Sequence, residues 1–136
     1  MANLDKININ GIEYGFETED SGWQTATLSS LFKPYNNKEA NTPKYRRSGK
    51  IVEIRGTVSP SSEIAGSSSG KEIFTIPEGY RPSDDVNIVC QGSGKNIWLL
   101  TVKANGNVLF ARYGTTEFIA CPSSGWLPLS VTYIVA

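Results

Sequence analysis

The chain has 136 residues, thirteen basic and thirteen acidic side chains, and no histidine. Balanced charge offers no surface for neutralising a phosphate backbone, so nucleic acid is excluded as an expected partner. No apolar run reaches the ~20 residues of a membrane-spanning helix, so membrane insertion is not expected. The missing histidine removes Ser-His-Asp and Cys-His nucleophiles and every histidine-bearing metal site. No cofactor or metal is expected, and a binding module is favoured over an enzyme.

A hydrophobic fraction of 39% suffices for one core, so one domain is expected. The opening stretch MANLDKININGIEYGF has no apolar segment of the secretory type, which makes synthesis in a reducing compartment the expectation. Cys90 and Cys121 then read as two buried strand residues, with a single bridge between them left open. Ile7, Ile9 and Ile12 suit a short extended segment, whereas GFETEDSG (15–22) is acidic and punctuated by glycine. Residues 1–22 therefore read as a lead-in and linker, and residues 23–136 as the folded domain.

Within that domain WQTATL (23–28) predicts a first strand, and residues 31–45 read as a long polar excursion carrying Pro34 and Pro43. KIVEIRGTVS (50–59) alternates, with Val52, Ile54, Gly56 and Val58 on one face and Ile51, Glu53, Arg55 and Thr57 on the other. A serine- and glycine-rich connection follows (59–71), in which Ile64 alone suits packing. KEIFTI leads into the turn-rich PEGYRPSDD, and NIVCQ reads as a short strand. The strongest hairpin signal is Asn105-Gly106 between NIWLLTVK and NVLFARYG. A two-residue turn pairs Val102 with Leu109, Leu100 with Ala111 and Trp98 with Tyr113. It places Val108, Phe110 and Arg112 on a half-apolar outer face with Leu99. At the end of the chain Val131, Tyr133 and Val135 alternate with Ser130, Thr132 and Ile134. Seven or eight short strands with turns at this spacing predict an all-β fold, an antiparallel β-sandwich of jelly-roll-like or immunoglobulin-like build.

The motif inventory is short. GSSSGKE (66–72) and CQGSGKN (90–96) lack the spacing and following helix of a phosphate-binding loop. Asp84-Asp85 and the Glu17, Glu19, Asp20 cluster lie in loops rather than on the rigid strands that a glycosidase pair requires, and no calcium-loop spacing occurs. Arginine beside aromatics near turns is the more informative pattern: Tyr45-Arg46-Arg47, Tyr80-Arg81, Arg112-Tyr113, and Trp126 in a Ser-Ser-Gly-Trp turn. Flat aromatic surfaces suit the apolar face of a pyranose, and planar hydrogen-bonding groups suit its hydroxyls. From this pattern the candidate ligand-binding residues are Trp126, Tyr113, Arg112, Tyr80, Arg81 and Asp84. The ordinary alternative makes Trp98 and Tyr113 core residues and leaves the arginines solvated or paired.

Four phrases in fixed order carry a resemblance: YRRSGKIVEIRGTVS (45–59), IFTIPEGYRPS (73–83), ANGNVLFARYG (104–114) and GWLPLSVTYIV (125–135). Together they resemble the C-terminal head domains of tail fibre and baseplate receptor-binding proteins from phages and prophages of Gram-positive bacteria. The resemblance runs from about Trp23 to the C-terminus. It implies a homotrimeric β-sandwich head at the virion's tail tip or baseplate, assembled in the host cytoplasm among other tail and baseplate proteins. It further implies non-enzymatic binding of cell-wall or capsular polysaccharide. The outer-face residues Leu99, Phe110 and Arg112, with Ile51 and Arg55, are then expected to face neighbouring protomers. Some such heads use histidine in their saccharide sites and this chain has none, so no family site transfers residue by residue. Two other classes stand beside this one: a structural tail or baseplate module that only trimerises, and a small depolymerase or esterase. The last lacks both histidine and the GxSxG elbow.

Overall fold

The alternation that begins at Ile51 becomes the longest ladder in the molecule. In the structure, a computed structural model that describes residues 6–15 and 20–136, strand β6 (Ile51–Pro60) pairs antiparallel with β11 (Leu127–Ile134). Their register runs unbroken from Leu127↔Val58 to Ile134↔Ile51. Val52, Ile54 and Val58 are buried opposite Leu127, Leu129, Val131 and Tyr133, so one face of each strand lies in the core. The sheet continues through β5 (Lys44–Ser48) to β3 (Gln24–Thr25), and β4 (Phe32–Pro34) pairs with the end of β6. The second sheet has the order β7 (Lys71–Thr75), β10 (Asn107–Gly114), β9 (Ile97–Val102), β8 (Val86–Gln91). The two antiparallel sheets pack face to face as the expected all-β sandwich.

Aromatic rings join the layers. Phe32 meets Phe110 edge-on at 5.7 Å and Tyr45 stacks over Phe74 at 6.4 Å, while Trp98 lies 5.4 Å from Phe110 within the second sheet. The first of these contacts corrects the reading of residues 31–45 as a polar excursion. Phe32 is buried, β4 pairs Phe32 with Pro60, two 3-10 turns span Tyr35–Asn37 and Glu39–Asn41, and β5 begins at Lys44. Phe32 in the core and Tyr45 packed against it hold the two ends of this segment on the sheet. The expected 23–28 strand shortens to the two residues of β3, although Ala26 still donates to the Pro43 carbonyl at 2.9 Å. The serine-rich connection is likewise packed: Ile64 bridges Cys121, and the Ser67 carbonyl accepts a bond from the Arg112 amide at 3.0 Å.

The β9–β10 hairpin departs from the expected register twice. Lys103 donates to Asn107 and Gly106 donates to Lys103, both at 2.9 Å, so the loop holds three residues, Ala104, Asn105 and Gly106. Gly106 takes φ +100°, as in a turn that ends on a left-handed glycine. The extra residue pairs Val102 with Val108 and Leu100 with Phe110. Val108 and Phe110 are therefore core residues and Leu109 lies outside, which also removes Phe110 from the face expected to meet other protomers. The second shift is a β-bulge between Ala111 and Gly114, where Arg112 sits at φ +61°. It restores the lost parity, and Tyr113 joins Trp98 in the core as expected.

The other Asn-Gly pair forms the two-residue turn. Asn10 and Gly11, at φ +52° and +81°, close β1 (Lys6–Ile9) on β2 (Ile12–Gly15), so the expected extended lead-in is a hairpin. The linker residues 16–19 lie outside the described residues. Cys90 and Cys121 are free, buried thiols.

Candidate functional site

The six residues chosen from the sequence divide between the two ends of β11. Trp126 precedes Leu127 at one end, and its amide donates to the Ser93 hydroxyl at 2.8 Å. At the other end the Tyr133 hydroxyl donates to the Tyr80 carbonyl. At the rise of a strand these points are about 20 Å apart, so no single site holds all six.

The Tyr80, Arg81 and Asp84 end is a bracket. Tyr80 is half-buried, edge-on to Tyr45 at 5.0 Å. Arg81 donates from Nε to the Ile76 carbonyl at 2.9 Å, and its own carbonyl accepts from Ala136 at 2.9 Å. Asp84 is exposed, while its neighbour Asp85 accepts from the Ala104 amide at 2.9 Å. These bonds tie the 76–85 loop, the hairpin tip and the C-terminal strand together.

The opposite end carries a groove. Tyr113 is not on its surface: it is 3% exposed, and its hydroxyl accepts from Asn96 Nδ2 at 3.2 Å. Its neighbour Arg112 is the residue that reaches out. On a regular strand, residues 110, 111, 112 and 113 would alternate. The bulge instead buries Phe110, Ala111 and Tyr113 and turns Arg112 alone to solvent. A non-glycine residue in the left-handed region costs on the order of 1 kcal/mol. The Arg112 guanidinium lies 4.8 Å from the centroid of Phe118, a cation–π contact at the lip of a groove of about 190 Å³. Val89, Ile97 and Leu99 contribute apolar surface, and Thr115, Thr116 and Glu117 contribute hydroxyls and a carboxylate. Gly114 makes the wall tight: at φ +148°, a Cβ there would stand 2.0 Å from the Glu117 carbonyl oxygen. The turn is fixed by the Gly114–Phe118 bridge and by the Ile119 amide donating to Tyr113 at 2.9 Å.

Phe118 and the Thr115–Glu117 turn are absent from the sequence-derived set. Their signal was a single aromatic in GTTEFI, whose relation to Arg112 depends on a bulge that alternation does not announce. The buried thiols have no such role. Desolvation pushes Cys90 up to about 11 and Cys121 up to about 12, which keeps both protonated and poorly nucleophilic near neutral pH. An apolar wall, an aromatic capped by a guanidinium, and nearby hydroxyl and carboxylate groups together suit one face and the hydroxyls of a sugar ring. Compared with models of known protein families and with curated proteins, the chain matches none.

Proposed function

We propose that this chain is the head domain of a phage tail receptor-binding protein, a homotrimer that holds host cell-wall or capsular polysaccharide without chemistry. The observation that supports it best is the Arg112–Phe118 groove. A strained arginine is held over an aromatic ring at the lip of a concave surface whose other groups complement a pyranose. The resemblance of the four sequence phrases supplies the biological setting, and the absence of histidine weighs against an enzyme.

The structural-module reading draws on a different observation. Val89, Ile51 and Ile134 are 65%, 53% and 68% exposed on the outer sheet faces, where contacts with other protein surfaces would cover them.

Light scattering combined with fluorescent labelling of Gram-positive cells separates the readings. The receptor-binding head is expected to run as a trimer and decorate cells of its host. A trimer that decorates no strain of a broad panel supports the structural module, and a monomer contradicts both.

A further inference from the structure

A second aromatic surface lies on the other sheet, at the start of the folded domain. Trp23 is 43% exposed, and the Arg46 guanidinium sits 5.3 Å from its ring centroid. Arg46 is in turn ion-paired with Asp20. The loop beneath is tightly held. The Asp20 carboxylate accepts from the Gly22 amide at 2.9 Å, and the Ser21 amide donates to the Arg47 carbonyl at 2.8 Å. The Ser21 hydroxyl accepts from the Arg47 amide at 2.9 Å, and Gln24 Nε2 donates to the Ser21 carbonyl at 3.0 Å. Among the described residues, these bonds fix the loop and leave Trp23 43% exposed. A large exposed tryptophan on a rigid base is unusual for a side chain with so much surface to hide.

We infer that Trp23, Arg46 and Asp20 form a separate saccharide subsite selective for uncharged pyranose units with adjacent hydroxyls. The indole offers a flat surface to ring C–H groups. The guanidinium and carboxylate beside it, 33% and 43% exposed, present donors and acceptors side by side, the arrangement that two neighbouring hydroxyls match. The two charges already neutralise each other. A carboxylate or phosphate on the ligand would have to compete with Asp20 for Arg46, so a neutral sugar is the better guest. This inference rests on the reading of the chain as a saccharide-binding head and adds to it a site on the sheet opposite the Arg112 groove.

The test follows the indole N–H signals of Trp23, Trp98 and Trp126 by NMR while methyl glucoside, methyl galactoside and methyl N-acetylglucosaminide are added in turn. The Trp23 signal is expected to shift saturably with at least one of them, and Trp98, 1% exposed, is expected to stay still. Asp20→Ala, or Trp23→Ala followed through the Arg46 side-chain signal, is expected to weaken that response about tenfold, with Trp23→Phe retaining part of it. Because a purely structural cation–π pair predicts no sugar-dependent shift, the readout is independent of folding effects. A stationary Trp23 signal in protein that still decorates cells overturns the subsite and leaves the receptor-binding reading intact. A stationary signal in protein that decorates no cells overturns both.

Discussion

The two ladders at the centre of the molecule obey different rules. β6 and β11 pair in one unbroken register, with every second residue of β11 buried against Val52, Ile54 and Val58 of β6. β9 and β10 have their register set by a three-residue loop ending on Gly106 and then change it at the root, where Arg112 bulges out. The regular ladder supplies core and little else. The irregular one supplies the groove, because a bulge is what lets Arg112 leave the sheet between two buried neighbours. In this sandwich, the groove opens where the alternation breaks.

The strongest way to break that comparison is to test the β10 register itself. Phe110→Ala is expected to cost about 3–5 kcal/mol, because a buried ring in contact with Phe32 and Trp98 is lost. Leu109→Ala, on the outer side, is expected to cost under about 1 kcal/mol. Urea denaturation of both variants checks this, and the reverse ranking would restore the two-residue turn.

A smaller effect comes from pH. Burial raises Cys90 and Cys121 from 9.0 to about 11 and about 12, and raises Tyr133 above its ordinary 10.0. Each native group holds its proton more tightly than the unfolded chain does. The associated stability is therefore fully present below pH 9 and is lost as pH climbs from 9 towards 12. Denaturation midpoints between pH 8 and pH 12 are expected to fall over that window, and Cys121→Ala is expected to flatten the early part of the fall. A flat wild-type profile would contradict the burial of these groups.

What could be read from the residues follows the same division. Val52, Ile54, Val58, Val131 and Tyr133 announced their faces because a period of two survives wherever the ladder is unbroken. At Asn105-Gly106 the dipeptide named a turn but not its length, and one extra loop residue moved Phe110 from surface to core. Asn10-Gly11, the pair that does make a two-residue turn, lies in a stretch whose isoleucines suit an extended segment but whose acidic, glycine-punctuated continuation does not announce a hairpin. Arg112 was chosen for its aromatic neighbour Tyr113, yet its partner is Phe118, six residues on, reached through a bulge and a tight turn. Tyr80 and Arg81 carry the same local pattern, and their bonds to Tyr133, Ile76 and Ala136 tie the 76–85 loop to the C-terminal strand. Adjacent residues in sequence point apart on a strand, so an arginine-aromatic dipeptide locates chemistry without saying which ring the arginine meets.

The most direct measurement is cell decoration by Arg112→Gly, with its thermal midpoint recorded on the same sample. Glycine accepts φ +61° without strain, so the bulge survives and the loss of one exposed cation–π contact changes stability by about 1 kcal/mol or less. The account predicts a nearly unchanged midpoint and host-cell binding reduced about tenfold or more, the scale of one charge-assisted contact. Full binding by a folded Arg112→Gly protein would contradict the assignment of the groove as the saccharide site.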